Sequence, residues 1–352
     1  MIYCEIDHNH LRIYKGNARH YRLTKKDLSK GFRPEDILSI AKAKPIPKIV
    51  YRVRYGGSFI SEKIQPVDSH VLKVISQIKR FKDPDDLAMI DIIHRMCRHA
   101  PDLAHILLCE SAVYFNLPRV SRQYALPPSL TDDHTRKFGN NGIAHQWAFN
   151  ALSKTKHYQP QKVVTVCLNA PANAAAFEKG KIMDTSDGFG PIGEILSERA
   201  CGFIDLSIIF EMRQDGYTLD QIEDILLQQS GIRSFRQNRK PPTRSARSYQ
   251  KPPLLKKMYL HQIRKSIGSM IAMLGGVDII VFIGNDSQTS LRTAKNISRK
   301  LLNLGVQPHN PVKKKTLTKL TKQTSPVQVY FTPHKRFPVV AQYLKMNHPH
   351  VT

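Results

Sequence analysis

Two arrays of positive side chains are the most chemically loaded features of this 352-residue sequence. The first is Arg233, Arg236, Arg239, Lys240, Arg244 and Arg247. It lies in a stretch from Gly231 to Lys257 that holds nine Lys/Arg, two Pro-Pro pairs and no acid. The second is Lys313, Lys314 and Lys315, at the head of a run that reaches Lys322. Cations at this density suit a ligand made of phosphates, because each neutralised phosphate releases counterions and gives sequence-independent, salt-sensitive affinity. Phe235, Tyr249 and Tyr259 lie among the charges and offer faces on which bases stack. RNA, DNA or another polyanion is therefore a candidate partner, and a solvated basic face is the competing interpretation. Residues 225–352 hold 23 Lys/Arg against two acids, Asp278 and Asp286, whereas residues 1–224 hold 31 against 26. An ordinary soluble surface mixes both signs, and an asymmetry of this kind points to a polyanionic partner.

Other chemistries lack their signatures. The fifteen histidines form no HExxH or other metal-ligand spacing; His8 and His10 belong to a turn, and His348 and His350 to a C-terminal tail. The cysteines (Cys4, Cys97, Cys109, Cys167 and Cys201) are scattered, with no CxxC pair. That argues against a disulfide framework or zinc site and for a reducing compartment. There is no GxSxG or Walker A. No window reaches the roughly 18 apolar residues of a membrane span; the nearest, Ser269 to Gly284, is broken by Gly275, Gly276 and Asp278. The N-terminus lacks the basic start and apolar stretch of a signal peptide. These features predict a soluble, cytoplasmic protein with no membrane association.

The elements that must position such residues are legible in hydrophobic periodicity. Ile2 to Ile6 and Leu11 to Tyr14 read as a strand hairpin around Asp7-His8-Asn9-His10. Residues 24–44 are polar and read as helical in part. Lys48 to Tyr55 alternates as a strand, Asp68 to Lys79 and Asp85 to Met96 as helices, and Ala104 to Cys109 as a buried strand. Residues 135–152 begin as a loop and end as a helix. The second half restarts the pattern: strands at Lys162 to Leu168 and Ala172 to Glu178, then helices at Ile204 to Arg213 and Leu219 to Gln228. Gly231 to Lys257 reads as a linker. Leu260 to Leu274 and Ser290 to Leu304 read as helices around a buried strand, Val277 to Ile283. Residues 308–325 are basic and polar, followed by a strand at Val327 to Phe331 and a helix at 338–346. Two halves that each open on a hairpin predict an α/β protein with a cleft between lobes.

From Lys162 the sequence runs KVVTVCLNAPANAAAFEKGKIMDTSDGFGPIGEILSERACGFIDLSII. Upstream stand YRVRYGG at 51–57, CESAVYFNLPRVSRQYALP at 109–127 and KFGNNGIAH at 137–145; downstream stands VDIIVFIGNDSQTSLR at 277–292. In this order the blocks resemble the signatures of the acetate/propionate kinase (acetokinase) family. There YRVRYGG corresponds to H-R-V-V-H-G-G, CESAVYFNLP to F-D-T-A-F-H-x-T-M-P and KFGNNGIAH to R-Y-G-F-H-G-T-S-H. The long run resembles a His-Leu-Gly-Asn-Gly loop, a D-T-S-M-G-F-T-P hairpin and T-R-x-G-D-x-D-P. The last block resembles D-A-I-V-F-T-G-G-I-G-E-N-S.

The resemblance implies an α/β, two-lobed actin-like ATPase fold of the sugar kinase and actin type (ribonuclease-H-like) with a central cleft. It implies an N-terminal lobe over 1–147, completed by the helix at 338–346. A C-terminal lobe over 148–337 carries the basic segments 231–257 and 308–325. The implied reaction moves the γ-phosphoryl of Mg-ATP onto a short-chain carboxylate, in a homodimer. By the match, Arg52 is the substrate-binding Arg, and Glu110 stands at the catalytic Asp position, one methylene longer. His145 is the second His of its block, and Asp205 the second Asp of G-D-x-D. Asn169, Ala170 and Asn173 fall on the phosphate loop, and Gly284 and Asp286 on the nucleotide loop. Glu110 and Asp286 are the candidate magnesium ligands.

Departures from the pattern are equally specific. The first His of F-H-G-T-S-H is Asn141, which cannot be a cation. The glycine loop is Cys167-Leu-Asn-Ala-Pro171, and proline has no N–H for a phosphate. The catalytic Arg position is Ala200, with Arg199 its neighbour and stand-in. The nucleotide loop is two residues shorter. The N-terminal N-x-G-S-S-S loop is Asp7-His8-Asn9-His10, and the late N-E-E element is His334-Lys335-Arg336. The expectation is a carboxylate kinase-like phosphotransferase with weakened or lost catalysis. The alternative is an inactive pseudokinase whose basic C-terminal third binds RNA, DNA or another polyanion.

Overall fold

Alternating apolar residues in β1 (Ile2–Asp7) and β2 (His10–Gly16) bury Ile2, Cys4, Ile6, Leu11 and Ile13 on one face of an antiparallel hairpin. The computed structural model describes residues 1–7, 9–17, 20–41, 48–57, 60–77, 83–131, 135–153, 161–168, 171–193, 195–234, 252–285, 287–310, 317–334 and 336–347. In it the hairpin continues through β3 (Tyr21–Asp27), α1 (Glu35–Ala41), β4 (Ile49–Val53), β5 (Ile64–Pro66), α2 (Ser69–Gln77), α3 (Pro84–His99) and β6 (His105–Cys109). Then come α4 (Arg119–Arg122) and α5 (Gly142–Ser153). The second half contains β7 (Lys162–Cys167), β8 (Asn173–Glu178), β9 (Lys181–Thr185), α6 (Leu206–Gln214), α7 (Leu219–Asp224) and α8 (Gly231–Ser234). It ends with α9 (Pro252–Leu274), β10 (Ile279–Gly284), α10 (Gln288–Ser298), β11 (Thr318–Lys319), β12 (Gln328–Pro333) and α11 (Arg336–Asn347).

Two six-stranded mixed sheets result, ordered β3-β2-β1-β4-β6-β5 and β11-β12-β10-β7-β8-β9. Each contains an antiparallel meander, β1-β2-β3 or β7-β8-β9, whose first strand pairs in parallel with the next strand, β4 or β10. A further parallel strand follows, β6 or β12, and a short antiparallel edge, β5 or β11, closes the order. The second half therefore repeats the strand order of the first. The central strands β4, β6 and β10 are buried along their whole length, as parallel strands covered on both faces must be.

The chain divides into two compact units. One is Met1–Asn116, Tyr124–Trp147 and Lys335–Thr352; the other is Leu117–Gln123 and Ala148–His334. In the first unit α3 packs on β1 and β4. Asp83 caps α3 by accepting the Asp85 and Asp86 N–H groups, with Pro84 in its first turn, where a missing N–H costs nothing. This apolar face joins Ile49, Tyr51 and Val53 of β4 to Met89, Ile90 and Ile93 of α3. The residues of alternate parity face the other way: Tyr3, Glu5, Arg12, Tyr14 and Arg52. There Phe337 of α11 packs on Tyr3 and Tyr14, with ring centroids 5.8 and 5.0 Å apart. In the second unit α9 packs on β7 and β8, and α10 on β10 and β12. Ile263, Ile267, Leu291, Ala294 and Ile297 reach the core there.

Several expected elements differ. Residues 24–44 are helical in part as expected, at α1, but they open on the end of β3, which was not expected. The expected helix 219–228 is α7 followed by a π turn at Ile225–Gln229. The helix expected over 290–304 stops at Ser298, and a 3-10 turn follows at Leu302–Leu304. Within 231–257, α8 and the start of α9 are helical; residues 235–251 lie outside the described set. Among the described residues, no helix is long and apolar enough to cross a membrane.

Candidate active site

Arg52 lies on β4 opposite Leu108 of β6, and Glu110 follows the last residue of β6. Strand pairing fixes both backbones: the Glu110 N–H donates to the Val53 carbonyl at 3.0 Å, and the Ser111 N–H to the Arg54 carbonyl at 2.9 Å. The two side chains then meet. Arg52 Nε donates to Glu110 Oε1 at 2.8 Å, with only 8% and 5% of the two residues exposed. Burial by itself lowers a guanidinium pKa, but the Glu110 charge outweighs it and holds Arg52 well above its ordinary value.

The other Glu110 oxygen is also engaged. Oε2 accepts the Ile143 N–H at 2.9 Å, in the first turn of α5. A carboxylate there satisfies an orphan helix donor and meets the positive end of the helix dipole. The approach depends on two glycines of the GNNG loop. A Cβ on Gly142 would stand 2.4 Å from the Glu110 carbonyl oxygen, and one on Gly139, at φ +72°, 2.4 Å from the Tyr114 ring. The Tyr114 hydroxyl pins the same loop by donating to the Asn140 carbonyl at 2.6 Å. Asn141 occupies the left-handed region at φ 55°, which asparagine tolerates better than most residues. His145 is fully buried on α5, its N–H donating to the Asn141 carbonyl at 3.1 Å. Burial and then the Glu110 charge push the Tyr343 hydroxyl of α11 up to about 12.

Two further polar clusters in this unit had no counterpart in the sequence reading. Glu5 is fully buried and accepts the hydroxyls of Tyr3 at 3.0 Å and Tyr14 at 3.2 Å. Arg54, next in parity to Arg52, donates to Asp83 at 2.7 Å and Asp85 at 2.6 Å. The Arg54 and Tyr55 N–H groups donate to Asp86. Burial and then the Asp83 charge raise the Asp86 carboxyl to about 7. The signal available for the second cluster was the run Asp83-Pro-Asp-Asp86, which also marks a helix start.

In the second unit, Asn173 opens β8 and its Nδ2 donates to Asp187 Oδ2 at 2.7 Å. Asp187 is buried and stands where the D-T-S-M signature has Met. Gly284 ends β10; a Cβ there would stand 2.6 Å from the Ser290 side chain, so α10 packs closely on the strand end. Ser287 caps α10 by accepting the Ser290 N–H at 3.2 Å. Arg199 turns toward Gln228, with Nη1 3.4 Å from its Oε1, while Ala200 is buried. Asp205 is solvent-exposed and caps α6 by accepting the Ser207 N–H at 2.8 Å. Asp205 and Arg199 thus spend these groups on local structure.

The structure brings Arg52 and Glu110 into contact and seats His145 on the helix whose first turn Glu110 caps. It brings Asn173 to Asp187. Asn169, Ala170, Asp286, Arg236, Arg239, Lys240, Arg244, Arg247, Lys313, Lys314 and Lys315 lie outside the described residues, as does the side chain of Arg233.

The model of the acetokinase family matches residues 34–342. The acetate kinase of Sulfurimonas denitrificans is 27% identical over 286 residues, covering 80% of this chain and 73% of that protein. The acetate kinase of Campylobacter jejuni strain RM1221 is 28% identical over 264 residues, 73% of this chain and 66% of its own length. The fold superposes on the crystal structure of acetate kinase from Entamoeba histolytica with a TM-score of 0.82, at 20% identity and 99% coverage of both chains. It superposes on a propionate kinase from Francisella tularensis with a TM-score of 0.80, at 21% identity and 97% coverage of both.

Proposed function

The chain belongs to the acetokinase family and has its α/β, two-unit actin-like fold, and on that footing we propose an ATP-dependent phosphotransferase with a short-chain carboxylate acceptor. We propose further that it runs far below the rate of a complete site. The observation that carries the reading is the chain of contacts from Arg52 through Glu110 to the α5 N-terminus. Glu110 holds Arg52 by Nε alone. Among the described residues Nη1 and Nη2 take no hydrogen-bond partner, so the flat fork of the guanidinium is left to grip a carboxylate. His145 is the imidazole remaining in its block.

The weakness follows from the same comparison of residues. Asn141 offers no positive charge to a transferring phosphoryl, Pro171 offers no N–H, and Ala200 offers no guanidinium. Removing one transition-state donor costs about 100- to 1000-fold in rate, and losses within one catalytic unit do not add simply. Magnesium is the ion that the family implies. Of its two candidate ligands, Glu110 is described and Asp286 lies outside the described residues. Both Glu110 oxygens are engaged, and among the described residues no group of three or more His, Cys, Asp or Glu could hold a metal. Glu110 anchors Arg52.

Calorimetric titration with Mg-ATP, with ADP as control, tests the reading. Binding at micromolar to low-millimolar concentration is expected, followed by slow transfer to acetate or propionate that Arg52→Ala abolishes. Absence of ATP binding at millimolar concentration retires the kinase reading. The charge imbalance of residues 225–352 favours a second reading in that case, a pseudokinase whose basic third binds nucleic acid or another polyanion. All five cysteines are free thiols, which supports the cytoplasmic placement. The homodimer implied by the family has a candidate surface on α6. None of its residues is buried, and Leu206 and Phe210, on one helix face, are 66% and 64% exposed.

A further inference from the structure

The end of α10 remote from the nucleotide loop carries a basic feature that phosphoryl transfer leaves unused. A cavity of about 110 Å³ lies there, lined by Lys295, Ser298, Arg299, His309, Asn310 and Leu320. α10 has 11 residues, a length of about 16 Å at 1.5 Å per residue, which sets the cavity well apart from Ser287 and Gly284.

Its walls are fixed by the fold. Ser298 is buried, and its hydroxyl donates to the Ala294 carbonyl at 2.8 Å. The segment presenting His309 is laddered to the strand region beside it: the His309 N–H donates to the Leu320 carbonyl at 2.8 Å and the Lys322 N–H to the Gln307 carbonyl at 2.9 Å. Pro308 bridges Thr321. Lys295, Arg299 and His309 make no ion pair among the described residues, and the sequence from Ser287 to Thr352 contains no Asp or Glu to neutralise them. Cations in the last turn of a helix offset its dipole, which accounts for Lys295 and Arg299 alone. It does not account for a polar recess completed by His309 and Asn310 from a separate segment.

The recess is open to solvent, with Arg299, His309 and Asn310 exposed at its rim, Lys295 half-buried and Ser298 buried, and it admits a small oxyanion. It is far smaller than the roughly 300–1,000 Å³ of pockets for drug-sized ligands, so it does not take a whole nucleotide. We propose that this recess is a phosphate site, separate from the Arg52 site, that seats one phosphate group between Lys295, Arg299 and His309. Lys and Arg supply charge-assisted hydrogen bonds, and the Asn310 amide adds a neutral donor. The group is either free phosphate or one phosphate of a nucleic-acid backbone. Lys300, Lys319 and Lys322 flank the recess in the chain and suit the neighbours of a backbone phosphate.

Calorimetric titration of the full-length protein with inorganic phosphate, in chloride buffer at low ionic strength, tests the proposal. Saturable binding is expected, weakened about tenfold by Arg299→Ala and by Lys295→Ala and unchanged by Arg52→Ala. No saturable binding, or binding that only Arg52→Ala weakens, overturns the site. Mg-ATP affinity measured on Arg299→Ala, expected at the wild-type value, keeps this outcome distinct from the kinase reading. With phosphate binding established, competition by a single-stranded oligonucleotide assigns the site to backbone phosphate; no competition assigns it to free phosphate. Either result retains the site.

Discussion

Glu110 and Arg52 depend on each other. Both are nearly excluded from water, and a buried charge left without its partner costs about 3–5 kcal/mol. Glu110→Gln keeps the shape and an acceptor but removes the charge. Urea unfolding is expected to show a loss of about 3–5 kcal/mol, and the double variant Glu110→Gln, Arg52→Met is expected to recover part of it. A double variant no more stable than Glu110→Gln would show that the two charges are not coupled. The sequence placed Arg52, Glu110 and His145 in three separate blocks, so their association was legible only through the resemblance. What the extra methylene of Glu110 does was not legible, because it depends on where α5 begins in space. Asp86 makes a pH-dependent case. Its folded carboxyl lies near 7, against an ordinary value of 3.8, because of burial and then Asp83. Between those values the folded state holds a proton that the unfolded state has lost. Stability therefore falls as pH rises from about 4 to about 7. Asp86→Asn, which retains an acceptor for the Arg54 and Tyr55 N–H groups, is expected to flatten that slope in unfolding measured across the window. An unchanged slope would assign the pH dependence to other groups.

At the scale of elements, α11 closes the polar face of the first sheet. Phe337 is 1% exposed and touches Tyr3, Tyr14 and Tyr21, stacking on Tyr14 at 5.0 Å. It couples the last helix to the first three strands, across most of the chain. Phe337→Ala removes the ring and leaves a cavity, at a cost of about 3–5 kcal/mol. Thermal unfolding is expected to show a matching fall in midpoint, and a change within experimental error would mean that α11 contributes little to this unit. Periodicity located the central strands because their buried runs are apolar, as in Ile49–Val53 and Ile279–Gly284. It missed β3 for the opposite reason. Tyr21-Arg-Leu-Thr-Lys-Lys-Asp27 is largely exposed at a sheet edge, so no buried face imposes alternation, and its lysines discourage further pairing. Its pairing with β2, rather than its own composition, makes it a strand. The β9 edge carries one buried residue, Thr185, and was equally silent.

At the scale of the whole molecule, one strand order occurs twice and the positive charge is concentrated late in the chain, where residues 225–352 hold 23 Lys/Arg against two acids. The restart at Lys162 was visible because both hairpins open on a short apolar strand, while the parallel pairing of β7 with β10 joins segments over a hundred residues apart and leaves no local trace. Self-association is tested on α6: Leu206→Asp with Phe210→Asp is expected to shift a dimer to monomer in sedimentation, and an unshifted dimer would locate the interface elsewhere. The charge asymmetry makes the last prediction. Positive charge spread over a flexible polyanion gives affinity governed by counterion release, with a slope of log affinity against log salt of about −0.7 per phosphate contact for single strands. The 23 cations of residues 225–352 far exceed what any single site would engage. Six to ten contacts would lower affinity by about 1,000- to 100,000-fold between 50 and 200 mM salt on duplex DNA, with a somewhat shallower fall on single strands. Fluorescence anisotropy with a labelled single-stranded oligonucleotide measures that slope directly. If the basic third is a polyanion surface, affinity falls steeply with salt and falls equally for unrelated base sequences. A flat response across the same range would mean that these cations are a solvated face, and the function would rest on the Arg52 site alone.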